Sequence, residues 1–134
     1  MTLSASSALQ AALYATLIAD EDLGRWVRGV FEVPPRGTPF PYIVLGDDIV
    51  SDWSTKTFQG SEHRLTLHVW SQTSRLHEVK DLLSLVAGAL GALPRDLDGF
   101  RLVNLQFLTS RVLPGEDALT HHGLLDLRVR LQTI

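Results

Sequence analysis

Cysteine is absent from the chain, which excludes disulfides, thiolate metal sites and cysteine nucleophiles and leaves only His and carboxylates as metal ligands. A basic excess is absent too, because twelve Lys plus Arg stand against fifteen Asp plus Glu for a net charge of -3. Free nucleic-acid binders carry a positive surplus, so direct DNA recognition is not expected. The opening MTLSASSALQAALYATL has no basic n-region, and its apolar positions are periodic instead of continuous. No apolar run approaches the roughly 20 residues of a membrane span. A soluble, cytoplasmically made protein is expected. No serine stands in a nucleophile elbow, and no glycine-rich Walker or dinucleotide loop occurs, so no enzyme signature emerges.

What is present suits one compact domain over residues 1–134, with 45% hydrophobic content. Leu9, Leu13 and Leu17 predict an amphipathic helix from about Ser7 to Ile18, with Ser7 and Gln10 as its capping box. Asp20 is expected to cap a second short helix through Leu23, Trp26 and Val27, ended by Gly29. A brief strand from Val30 to Val33 follows. Four prolines and a glycine between Pro34 and Pro41 then impose a loop.

Tyr42 to Trp53 reads as one long strand with a bulge or bend at Gly46. Beyond a polar turn containing Gly60, Leu65, Leu67 and Val69 alternate with Arg64, Thr66 and His68 in the period of a half-buried strand. From about Ser74 the period changes to helical, through Leu76, Val79, Leu83, Val86 and Leu90, until Pro94. Val103, Leu105 and Phe107, then Leu125, Leu127, Val129 and Leu131, restore the strand period and predict a second hairpin. The expected fold class is α+β: an antiparallel sheet of about four main strands plus a short one, two helices on one face, and a protruding β-hairpin arm.

Few residues invite a chemical role. His121 and His122 are adjacent on an extended segment and point to opposite faces, as do His63 and His68, so neither pair is suited to share a metal. The two residues of the second pair are expected at the surface. His77 and Asp81 lie one helical turn apart, a common solvated pairing. Asp20, Glu21 and Asp22 suit a helix N-terminus, and Asp47 and Asp48 diverge on a strand. The solvent face of the sheet is more informative, with Arg64, His68, Trp70, Arg128 and Arg130 expected opposite the helices, exposed Trp and Arg being common interface anchors. Trp70 has a second option, folding over the sheet edge into the core. Trp53, near the hairpin tip, is expected to need a partner subunit for burial.

Taken together, LIADEDLGRWVRG, FPYIVLGD, DWSTKTFQGSEHRLTLHVWS, HEVKDLLSLVAGAL, LDGFRLVNLQFLTSRVL and DALTHHGLLDLRVRLQ resemble the tail-terminator (tail-completion) proteins of long-tailed phages and gene transfer agents. The resemblance covers nearly the whole chain and implies a structural virion protein at the tail neck, with no catalytic residues and no cofactor. It implies a ring, a homohexamer by the symmetry of stacked tail-tube rings, that caps the head-proximal end of the tube and stops its growth. The partners it implies are further copies of the chain, the tail-tube protein and a head-completion or stopper protein, with DNA passing through unread.

On that basis Trp53, Lys56, Phe58 and Gln59 of the hairpin arm are expected to contact the tube or a neighbour. Arg64, Arg128 and Arg130 are expected in intersubunit ion pairs or on the channel wall, or as an ordinary solvated face. The alternatives are a head-to-tail connector without a terminating role and, from another class, a small-ligand domain with a cleft near His68 and His77.

Overall fold

Ala5, Leu9, Leu13 and Leu17 form a stripe no more than 2% exposed along the first helix, α1 (Leu3–Ala19), in a computed structural model that describes residues 3–73, 75–115 and 117–134. The helix begins a turn earlier than the Leu spacing predicts, because Ala5 extends the apolar stripe and neither Gly nor Pro interrupts it. Ser7 therefore lies inside the helix and not at its N-cap, while Gln10 donates to Glu32 Oε1 at 2.6 Å. In α2 (Glu21–Trp26) the N-cap is Asp20, whose Oδ1 accepts from the Leu23 N–H at 3.0 Å. This helix closes on extended Val27, so Gly29 does not terminate it. Gly29 is packed instead: an added Cβ would lie 2.6 Å from the Phe31 ring.

The strands are β1 (Val30–Phe31), β2 (Tyr42–Asp52), β3 (Gly60–Gln72), β4 (Asp96–Leu97), β5 (Phe100–Pro114) and β6 (Thr120–Thr133). They form one sheet in the order β1-β2-β3-β6-β5-β4. The four long strands match expectation and pair antiparallel. Contrary to the all-antiparallel expectation, β1 runs parallel to β2, since the proline-rich connection is too long and stiff for a tight hairpin. Strand β4 is too short to leave a periodic signal.

The third helix, α3 (His77–Ala89), continues as a 3-10 turn over Leu90–Ala92. The expected start at Ser74 lies outside the described residues, and Leu76 is exposed beside the helix start. Buried residues of α1 and α3 meet Ile43, Leu67, Val69, Leu127, Val129 and Leu131 in one core, so the helices share one face of the sheet and leave the other open. Burial of each such Leu contributes about 2 kcal/mol.

The short strands cover little: β1 pairs only with Ile43 and Val44 of β2, and β4 only with Phe100 and Arg101 of β5. The remaining outer sides of β2 and β5 face no strand among the described residues. The β2–β3 hairpin projects less than an arm would, because β6 flanks β3 as far as Gly60, which is level with Gln132. Only the turn at residues 53–59 extends past the paired strands, and it is held by Trp53 N–H to Gly60 O at 3.0 Å and Thr55 N–H to Phe58 O at 2.9 Å. Gly60 is required there, since a Cβ would meet Trp53 O at 2.6 Å.

Candidate functional site

Strands β3 and β6 alternate, so their even-numbered residues stand on the open face, and the register sets Glu62 opposite Arg130, Arg64 opposite Arg128, Thr66 opposite Asp126 and Trp70 opposite His122. At the turn end, Arg130 Nε donates to Glu62 Oε1 at 2.9 Å, and its guanidinium lies 5.1 Å from the Trp53 ring centroid. Trp53 in turn meets Phe58 at 5.4 Å between centroids. The expectation that only a partner subunit buries Trp53 is therefore corrected, because Phe58 and Arg130 already leave it half-buried. Lys56 and Gln59 are exposed on the same turn, where Gln59 O accepts from the Thr133 N–H at 2.9 Å.

In the middle of the face, Arg128 approaches the same Glu62 carboxylate, with Nε at 3.9 Å, and hydrogen-bonds Gln106 through its Nη2. Arg64 is exposed, with no hydrogen bond or ion pair among the described residues. Two guanidinium groups thus share one carboxylate, with Arg64 beside them opposite Arg128. Next along, Thr66 and Thr109 donate to the two oxygens of Asp126, each at 2.6 Å. The hydrogen bond from Thr109 and then that from Thr66 hold the Asp126 carboxyl below its ordinary range.

At the far end Trp70 stacks on His122, with centroids 3.8 Å apart and planes 9° from parallel. Trp70 is thus half-buried on the open face, neither in the core nor free. His122 Nε2 lies 2.7 Å from His68 Nδ1, so one ring donates and the other accepts. Burial lowers both imidazole pKa values, and His122 is lowered further by His68 and Arg111. Gly46 makes room for this pair, since a Cβ there would fall 2.6 Å from His68 Nε2.

The residues predicted for this face are all on it or on the adjoining turn, but in three clusters instead of one patch. His63 is the exception among the histidines. Far from being a surface residue, it is fully buried on the core face, with Nε2 2.9 Å from Ser61 Oγ and Nδ1 3.3 Å from Asp48 Oδ1. The order Asp–His–Ser has the outline of a nucleophilic relay, yet Ser61 is 3% exposed and the network serves to satisfy buried polar atoms. The bulge between Leu45 and Asp48 explains the inward turn of Asp48, because one extra residue switches the face on which it lies. His77 begins α3 on the helical layer, across the sheet from His68, so no cleft joins those two.

This geometry has known counterparts. Residues 11–132 match the model of the family described as "Tail completion protein gp17". The tail completion protein gp17 of Bacillus phage SPP1 is 34% identical over 124 residues, 92% of each chain. A chain in the virion of a native gene transfer agent particle superposes with a TM-score of 0.87 at 32% identity, over 98% of this chain and 99% of that one. The solved bacteriophage SPP1 gp17 protein gives a TM-score of 0.68 at 34% identity, over 97% and 91% of the two chains. These are structural proteins of virion tails and not an enzyme family. The chain belongs to the tail completion protein gp17 family.

Proposed function

We propose that this chain is the subunit of a homohexameric ring at the neck of a phage or gene-transfer-agent tail, assembled in the bacterial cytoplasm. The ring caps the head-proximal end of the tail tube, ends its polymerisation and offers its other surface to the head-completion or stopper protein. DNA passes through its centre unread. The observation that carries this reading is the likeness, over 98% of the chain, to a chain within an assembled gene transfer agent virion.

Two features of the molecule support it. The open sheet face sets Arg128 and Arg130 against the Glu62 carboxylate and leaves Arg64, opposite Arg128, without an ion pair among the described residues, a local cationic surplus on a chain of net charge -3. Such a surplus suits an acidic neighbouring subunit or the wall of a DNA passage. The turn bearing Trp53, Lys56, Phe58 and Gln59 lies at one end of the sheet, where a stacked tube ring would meet it, with an aromatic pair ready to serve as an anchor. His68 and Trp70 occupy the opposite end and belong to a second contact surface.

Electron cryomicroscopy of purified particles tests this reading. A closed ring of this chain between tube and head is expected. A single copy, or density along the length of the tube, would contradict it.

A further inference from the structure

We infer that copies of the chain join through the sheet itself, with the open edge of β2 on one copy pairing antiparallel to the open edge of β5 on the next. This rests on the ring reading above and names the surface that closes it. The partner is a second copy of this chain.

Both edges are open for most of their length. Beyond the short cover given by β1 and β4, residues 45–52 of β2 and 103–114 of β5 have no strand on their outer side among the described residues. Isolated monomeric proteins guard such edges with Lys, Pro or covering segments. Here Ile49 is 66% exposed on one edge, and Val103, Phe107 and Leu113 are 40–45% exposed on the other.

Charge selects which edges meet. Strand β2 contains Asp47, Asp48 and Asp52 and no Lys or Arg, whereas β5 contains Arg101 and Arg111 and no Asp or Glu. The flanking grooves repeat this pattern, with Glu32 beside β2 and Lys80 beside β5. Like edges repel and unlike edges attract, which disfavours a two-fold dimer and favours a head-to-tail contact able to close a ring. Three successive antiparallel pairings make β5 run opposite to β2, so the added pair is antiparallel too.

The short strands set the register. Strand β1 sits at the Tyr42 end of the sheet, level with Trp70, His122 and Leu113, while β4 sits at the opposite end, beside Phe100. The incoming β1 blocks pairing at residues 43–44, so residues 45–52 must slide along β5 toward Pro114, a stagger of about four residues. Stagger and strand tilt are the conditions for closing a sheet around an axis. An even displacement also keeps each side chain on its own face, bringing Ile49 near Arg111 and Leu113.

Because the chain lacks cysteine, the double variant Ile49→Cys/Leu113→Cys treated with a short bis-maleimide reports the contact directly. Within one chain the two sites are six register positions apart along the sheet, or roughly 20 Å, beyond the linker. In particles carrying the double variant, a ladder of covalent multimers is expected, while either single variant stays monomeric and a mixture of the two gives dimers only between unlike chains. Double-variant chains that remain monomeric, in particles whose copy number is still that of a ring, overturn the edge pairing and leave the ring standing. One copy per particle overturns both. As a second arm, Asp47→Arg and Arg111→Asp should each reduce incorporation several-fold, and their combination should restore it. No recovery in the combination would count against the charge pairing that orients the edges.

Discussion

His122 lies between Trp70 and His68 on the open sheet face, its ring 3.8 Å from the indole centroid and its Nε2 2.7 Å from His68 Nδ1. That contact requires one ring nitrogen to accept, and therefore to be unprotonated. The folded state favours neutral imidazoles, because burial lowers both pKa values from 6.5, opposed at His68 by Asp47 and Asp126 and reinforced at His122 by His68 and Arg111. The unfolded chain takes up protons first as pH falls, so this contribution is complete above about pH 6.5 and declines below it. Thermal melts from about pH 8 to 5 should show a fall in Tm that is smaller in His122→Gln. An equal fall in both proteins would contradict the coupling.

Asp126 holds together β3, β6 and β5 through Thr66 and Thr109. Thr66→Val and Thr109→Val should each cost about 1 kcal/mol in denaturant unfolding, and the two losses should be non-additive because they share one carboxylate. The lowered Asp126 pKa adds stability that is present above its unfolded value near 3.8 and is lost as pH falls through the folded value.

Ser61→Ala leaves His63 Nε2 buried without its partner. A loss of about 1–3 kcal/mol in stability is expected, with incorporation into particles unchanged wherever the protein still folds. Lost incorporation with full stability would instead give Ser61 a direct role in assembly.

Trp53→Asp/Phe58→Asp removes an aromatic pair that packs at the turn and under Arg130, outside the main core. The double variant should stay folded by circular dichroism with a slightly lower Tm, yet fail to enter particles. Unfolding would show that the turn stabilises the sheet and would remove the basis for treating it as a contact surface. By comparison, Leu9→Ala, at 0% exposure, should cost about 2–5 kcal/mol.

Much of this layering is legible in local pattern. The Leu9, Leu13, Leu17 stripe and the alternation along β3 and β6 mark helix and strand, and the same alternation puts Arg64, His68, Arg128 and Arg130 on one face. Long-range register is not legible in this way. Nothing near His68 announces His122, whose position depends on β3 lying beside β6 and not only beside its hairpin partner. The alternation of Val103, Leu105 and Phe107 misleads in part, because β5 shifts register at Val103, between Leu102 and Asn104, while Leu105 and Phe107 keep the face of Val129 and Leu127. Val103 and Phe107 both stand exposed all the same, because the outer edge of β5 is uncovered there. The burial of His63 follows from the β3 alternation, which puts it on the face of Leu65, Leu67 and Val69, but its partner Asp48 is not legible, as one bulge residue in β2 decides where that side chain points.

The central claim is that this chain ends tail growth, and the length distribution of tails made without its gene tests it most directly. Overlong or irregular tails detached from DNA-filled heads are the predicted result in electron micrographs. Tails of normal length that fail to join heads would contradict termination and assign the chain to the connector between head and tail, and intact particles would contradict both.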